Sequence, residues 1–317
     1  MSSAAIVGAT ATGKTALALG LAGRLGDLEL VSVDAMAVYR HLDVGTAKPT
    51  PRERAAARWH LLDLAEPEEE FSVARFQRSA RAALAEIARR QHRPLLVGGT
   101  GLYHRTVLDD LALPGRYPAV AAELWAEVEA AGGSEALHGR LAQLDPVAAA
   151  RIEPRNARRV VRALEVTLGS GRPFSASGPG LERYGETAFV LIGLRIERAE
   201  LDRRIAARLD AQFAAGWLEE AAALAARPGV LSRTAVQALG YRQLLDHLAG
   251  RCSLEAAREE ILRRTRAFAR RQESWFRRDP RVQWLDATDP DLLRAAAALV
   301  GRSVSSDQEG TWRGRPG

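Results

Sequence analysis

The chain has 317 residues, which at roughly 100–200 residues per domain fits two domains or one large domain carrying an insertion. It is 47% hydrophobic and 26% charged, which excludes an extended disordered protein. Its one cysteine, Cys252, excludes an internal disulfide and a cysteine-cluster metal site and fits a reducing compartment.

Ala4–Val7 is a short apolar run ending at Gly8 and reads as a buried strand. Neither it nor any later run approaches the ~18 residues of a membrane span, and Met1–Val7 lacks the charged flank and long apolar stretch of a signal peptide. Leu17, Leu21 and Leu25 recur at spacing four, which predicts a helix over 15–25, closed by Gly26. Leu28–Val33 is a second strand, ending at Asp34. Helical spacing returns over 73–90, and Pro94–Val97 is a third apolar run, followed at once by Gly98-Gly99-Thr100-Gly101. Strand and helix in alternation predict a parallel sheet flanked by helices, with ligands at the carboxyl ends of the strands. After Leu113-Pro114-Gly115 the chain turns Ala-rich and helical from about 119 to 167, with turns at Gly132-Gly133 and Asp145-Pro146. Residues 169–184 read as a loop, Phe189–Leu194 as a strand, 199–277 as helical and Val282–Leu285 as a last short strand. The layout expected is an α/β core of P-loop type in two parts, 1–114 and 186–302. An all-helical insertion, 115–185, lies between them, and a disordered tail, 303–317, ends the chain.

Gly8-Ala9-Thr10-Ala11-Thr12-Gly13-Lys14-Thr15 matches G-x4-G-K-[ST], with a strand before it and a helix after it. Such a turn aims backbone N–H groups and a helix N-terminus at phosphate oxygens. Lys14 supplies a point charge there, and the Thr15 hydroxyl can ligate Mg²⁺. The aspartate that usually ends a strand in an ATP-hydrolysing enzyme is missing: the third strand runs into Gly98-Gly99-Thr100. Asp34 and Asp63 are the remaining acids for a metal. The loop therefore suits a diphosphate or a triphosphate such as ATP better than it suits ATP hydrolysis. Gly98–Gly101 is a second turn of close backbone approach on the same sheet edge, where Thr100 offers a hydroxyl to the same phosphates. Asp34 ends the second strand at that edge too, and its carboxylate could hold Mg²⁺, act as a general base or cap a turn.

The net charge is +6, which permits a polyanionic partner. Only Lys14 and Lys48 are lysines among 45 basic residues. The first lies in the phosphate loop and the second in the string Gly45-Thr46-Ala47-Lys48-Pro49. Arginines crowd two stretches, 151–162, where the one acid is Glu153, and 258–281, each readable as a solvated face or as a track for phosphates.

The P-loop resembles, in company with Ser32-Val33-Asp34, Tyr39, Asp43-Val44-Gly45-Thr46-Ala47-Lys48-Pro49 and Val97–Tyr103, that of the bacterial tRNA dimethylallyltransferase (tRNA isopentenyltransferase) family. Asp145–Ile152, Arg162–Val166, Gly240-Tyr241-Arg242-Gln243 and Arg270-Arg271-Gln272 with Trp275 and Phe276 extend the resemblance from about residue 6 to residue 286. It implies transfer of a dimethylallyl group from dimethylallyl diphosphate to the exocyclic amine of the adenine 3′ of the anticodon, in tRNAs reading codons that begin with U. By that resemblance Asp34 is the general base, while the P-loop, Thr100 and Arg208 (in Arg204-Ile205-Ala206-Ala207-Arg208) grip the diphosphate and Thr15 holds Mg²⁺. The tRNA anticodon stem-loop is implied to contact Asp34, Ala35, Met36, Ala37, Thr100, the segment Arg158, Arg159, Val160, Val161, Arg162, and the segment Gln237, Ala238, Leu239, Gly240, Tyr241, Arg242. A monomeric cytoplasmic enzyme with no membrane partner is expected. The sequence departs from the family pattern at Ala9 (usually Pro), Ala35 (often Ser), Ala37 (often Gln) and Ala121 (an Arg expected). Rival readings are a P-loop kinase of a small metabolite, a prenyltransferase of free AMP or ADP, and an RNA-binding module switched by nucleotide.

Overall fold

The computed structural model describes residues 3–301 apart from Pro179 and Glu182; the expected tail, 303–317, lies outside the described residues. The first half of the sheet unit runs β1 (Ser3–Gly8), α1 (Lys14–Leu25), β2 (Leu28–Ser32), α2 (Pro51–Ala56), β3 (Trp59–His60), α3 (Val73–Arg89), β4 (Arg93–Val97) and α4 (Gly101–Leu108). The helical segment that follows holds α5 (Pro118–Ala131), α6 (Glu135–Leu144), α7 (Pro146–Ala149) and α8 (Ala157–Ser170). The sheet unit resumes with β5 (Phe189–Arg195), α9 (Arg198–Ala214), α10 (Trp217–Ala225), α11 (Tyr241–Leu248), α12 (Leu254–Arg277), β6 (Val282–Asp286) and α13 (Leu292–Gly301).

The sheet is parallel throughout, in the order β3-β2-β4-β1-β5-β6. β1 is central, with Ala5 opposite both Leu96 and Leu191. Because side chains alternate along a strand, its apolar run serves two cores. Ala5, Val7, Val31, Leu96 and Leu191 face one side, where Phe76, Leu209, Trp217, Tyr241 and Phe276 cover them. Ala4, Ile6, Leu30, Leu95 and Ile192 face the other, covered by Leu17 and Leu21 of α1 and Ala296 and Val300 of α13. That double coverage is why these strands read as unbroken apolar runs. β3 and α2 escape the sequence reading because the strand is two residues long and the helix buries no side chain.

Asp110–Gly185 forms a compact unit of its own. Its core is Leu124, Leu137, Leu141, Val160, Val161 and Leu164, with Ile152 and Ala149 at the turn into α8. Asp145 accepts the Ala148 amide at 3.0 Å to cap α7 and the Ser175 amide at 2.7 Å to tie down the loop beyond α8. That loop holds a short 3₁₀ turn, Phe174–Ser177.

Candidate active site

The loop between β1 and α1 is wound to expose amides. Gly13, at φ +90°, occupies the N-cap of α1 without offering a side-chain cap. The first N–H groups of the helix are thus open to an anion, with the helix dipole behind them. Ala11 takes the left-handed region at φ 63°, which costs a non-glycine residue about 1–2 kcal/mol and marks the loop as held in shape by its surroundings. The Thr12 hydroxyl donates to the Ala9 carbonyl at 2.9 Å, and the Lys14 ammonium donates to the same carbonyl at 2.5 Å. Burial, then the like charge of Arg208, push the Lys14 amine down to about 7, with Asp34 opposing. Arg208, on α9, also has Asp34 as its offsetting charge. Two cations thus meet one carboxylate, and the surplus positive charge suits a diphosphate.

Asp34 follows β2, and its Oδ1 accepts the amides of Met36 at 2.8 Å and Ala37 at 3.2 Å. Oδ2 has no hydrogen bond among the described residues, so one carboxylate oxygen is anchored and the other is free to take a proton. Thr100 sits at the N-cap of α4 but leaves that helix uncapped. Its Oγ1 instead accepts the Ala35 amide at 3.1 Å. The hydroxyl hydrogen is therefore available to an acceptor, beside the open N-terminus of α4. His104, behind this turn, has its Nε2 3.3 Å from the Gly98 carbonyl; burial drives it down to about 3, so it adds no charge.

A profile described as "IPP transferase" matches residues 37–279, and one described as "Isopentenyl transferase" matches residues 1–68. A tRNA dimethylallyltransferase of a Nocardioides species is 49% identical over 300 residues, covering 95% of this chain and 96% of that one. The chain belongs to the tRNA dimethylallyltransferase family. It is thus a prenyltransferase that acts on tRNA. The Streptomyces coelicolor tRNA dimethylallyltransferase is 48% identical over 305 residues, covering 95% and 96%. The crystal structure of full-length tRNA isopentenylpyrophosphate transferase from Bacillus halodurans superposes with a TM-score of 0.67 at 39% identity, over 94% of this chain and 96% of that one.

The other residues singled out in the sequence separate into exposed and structural ones. Asp63 is not available to a metal: it accepts Lys48 Nζ at 2.6 Å and Arg54 at 2.6 Å. Burial raises its carboxyl, but those two hydrogen bonds outweigh it and hold Asp63 below its ordinary range. Lys48 also bonds Asp43 at 2.7 Å and the Tyr39 carbonyl, with its side chain 1% exposed. The 43–49 string is thus a buried clasp. Glu220 accepts the amides of Asp43, Val44 and Gly45 and the Tyr241 hydroxyl, and Gln212 donates to the carbonyls of Val44 and Gly45. Any Cβ on Gly45 would lie 2.1 Å from the Trp217 indole. This hub of Gln212, Trp217 and Glu220 is not legible in the sequence, because its partners in the 43–49 string are remote along the chain.

Among the tRNA-contact segments implied by resemblance, Val160 and Val161 face the core of the helical unit, and Ala37, Ala238 and Tyr241 face that of the sheet unit. Arg162 donates to the Pro114 carbonyl at 2.8 Å and pairs with Glu165 at 2.9 Å. Arg158, Arg159, Gln237 and Arg242 are exposed. The arginines of 258–281 divide in the same way. Arg258, Arg263, Arg264, Arg266, Arg277 and Arg281 pair with acids. Arg270, Arg271 and Arg278 are exposed with no ion pair among the described residues. The buried edge of α12, Ala269, Gln272 and Phe276, faces inward at spacing three and four and reaches the Gly98–Gly101 turn.

Proposed function

We propose that this enzyme transfers the dimethylallyl group of dimethylallyl diphosphate to the exocyclic amine of the adenine 3′ of the anticodon, in tRNAs reading U-starting codons. The observation that carries the reading is the arrangement around Asp34: one carboxylate with a free Oδ2, beside two cations that outnumber it and two helix N-termini left uncapped. The diphosphate would lie against the amides of the 8–15 loop other than that of Thr10, where Lys14, Arg208 and the Thr100 hydroxyl offset the charge that builds as the allylic C–O bond breaks. The adenine amine attacks that carbon, the C–N bond forms, and its proton passes to Oδ2 of Asp34. An amide-like amine of this kind is a poor nucleophile, so positioning and exclusion of water supply much of the rate. The base must leave its stack, which a single-stranded anticodon loop makes cheaper.

Magnesium fits this reading in one way. No group of three or more acid, histidine or cysteine side chains able to hold a metal exists among the described residues, so the Thr15 hydroxyl would be the protein ligand, with diphosphate oxygens and water completing the shell. Bound there, the ion would neutralise leaving-group charge. Arg158, Arg159, Gln237 and Arg242, with Arg270, Arg271 and Arg278, are the exposed groups available to the tRNA. The reading includes a cytoplasmic monomer; among the described residues no helix is long and apolar enough to cross a membrane.

The test is incubation with labelled dimethylallyl diphosphate, Mg²⁺ and unmodified tRNA, with AMP in a parallel tube, followed by nucleoside mapping. Label on the adenine 3′ of the anticodon is expected. Label at another nucleoside, or in AMP alone, overturns the acceptor assignment.

A further inference from the structure

Two loops meet at the site from different strands, and neither holds the other directly through its own side chains. A third element spans them. Gln272, on the inner edge of α12 and only 6% exposed, accepts the Thr10 amide on Oε1 at 2.8 Å and donates from Nε2 to the Gly99 carbonyl at 2.9 Å. One amide side chain thus ties the middle of the P-loop to the residue before Thr100. The fit leaves no slack: a Cβ on Gly99 would lie 2.1 Å from Gln272 Nε2, and one on Gly101 would lie 2.1 Å from the Trp275 indole. Thr100 is therefore flanked by two glycines whose missing side chains make room for α12.

The chemistry of the pair is specific. The Thr10 site needs an acceptor and the Gly99 site a donor, so a carboxamide satisfies both, whereas a carboxylate would set an oxygen against the Gly99 carbonyl. Because Gln272 occupies the Thr10 N–H, that amide is not among those left for phosphate.

We propose that Gln272 is a positioning residue for the diphosphate site, setting the separation between the P-loop amides and the Thr100 hydroxyl. The proposal rests on the reading that these two loops hold the diphosphate. A shift of about 1 Å in such a site costs on the order of 10²-fold, and without this brace the two loops are joined by the strands they leave and by apolar packing on α12, with no hydrogen bond from that helix, among the described residues, to fix their separation.

The test uses the full chain with steady-state kinetics in both substrates. Gln272→Leu is expected to lower kcat/KM for dimethylallyl diphosphate by about 10–100-fold, with tRNA affinity unchanged. Gln272→Glu supplies a readout that mere packing would not move. Protonated, the introduced carboxyl can accept from Thr10 and donate to Gly99 as the amide does; ionised, it cannot. Burial at this position, 6% exposed, raises a carboxyl from its ordinary value of about 4.3, so the variant's activity relative to the native enzyme at the same pH should rise as the pH falls from 8 to 5. A flat ratio across that range, or an unaltered kcat/KM for dimethylallyl diphosphate in Gln272→Leu, would overturn the proposal. Lys14→Met in parallel separates the two levels. If it weakens dimethylallyl diphosphate and Gln272→Leu does not, the brace alone fails; if neither does, the placement of the diphosphate fails with it.

Discussion

Lys14 and Lys48 are the chain's two lysines, and they sit in opposite circumstances. Lys48 is enclosed by Asp43, Asp63 and the Tyr39 carbonyl, so its charge is met inside the fold. Lys14 has a single carbonyl partner, with Arg208 for a neighbour, and its amine is pushed down to about 7. The Lys48 cation is consumed in holding a loop, while that of Lys14 is kept unpaired at a cost to stability. The difference teaches that a cation beside a motif reveals its use through what already neutralises it.

The largest expected effect follows from the unpaired cation. Lys14→Met should lower kcat/KM for dimethylallyl diphosphate by about 10²–10³-fold, the range for deleting one preorganised charge-stabilising group. Its melting temperature should not fall, since no ion pair is lost; a marked fall would mean that Lys14 is structural after all. Lys48→Met should do the reverse. It leaves Asp63 still paired with Arg54, so the cost should lie near the lower end for a broken buried pair, about 3 kcal/mol by denaturant titration. Turnover per folded molecule should hold.

The comparison sharpens with pH. Below about 7, Lys14 is already charged in the empty site. Above it, binding a diphosphate requires uptake of a proton, so affinity for inorganic diphosphate should fall toward tenfold per pH unit. Lys14→Arg, which keeps its charge, corrects for the ligand's own ionisation when both are titrated calorimetrically. Equal pH profiles for the two proteins would refute the depressed amine.

Smaller still is the effect of one surface arginine. Arg270→Ala should reduce the slope of log affinity for tRNA against log salt by about 1. Arg263→Ala should leave it nearly unchanged, because Glu260 already holds Arg263 at 2.7 Å. Equal effects would mean that pairing in the free enzyme does not decide which arginines meet phosphate.

Much of this arrangement is legible in the sequence. The strand–loop–helix of Gly8–Thr15 is local, so spacing alone reveals it, and alternation of apolar runs with helices reveals the parallel sheet. The arginine clusters are legible as charge but not as available charge: Asp210, Asp202 and Asp109 neutralise Arg258, Arg266 and Arg281 of the second cluster through contacts that sequence distance hides. Asp63 stands beside Asp34 as a metal candidate because both end apolar runs; only Lys48 and Arg54 tell them apart. Gln272 carries a weak signal, a neutral amide at helical spacing from Ala269 and Phe276 within an arginine run, but its two partners lie 262 and 173 residues away.

The most direct measurement on the central claim is Asp34→Asn, with single-turnover prenyl transfer and anticodon stem-loop binding followed on the same preparation. Loss of transfer by about 10²–10⁴-fold with unchanged affinity for the RNA is the result expected of a carboxylate whose free oxygen takes the amine proton. Transfer at the native rate would contradict it.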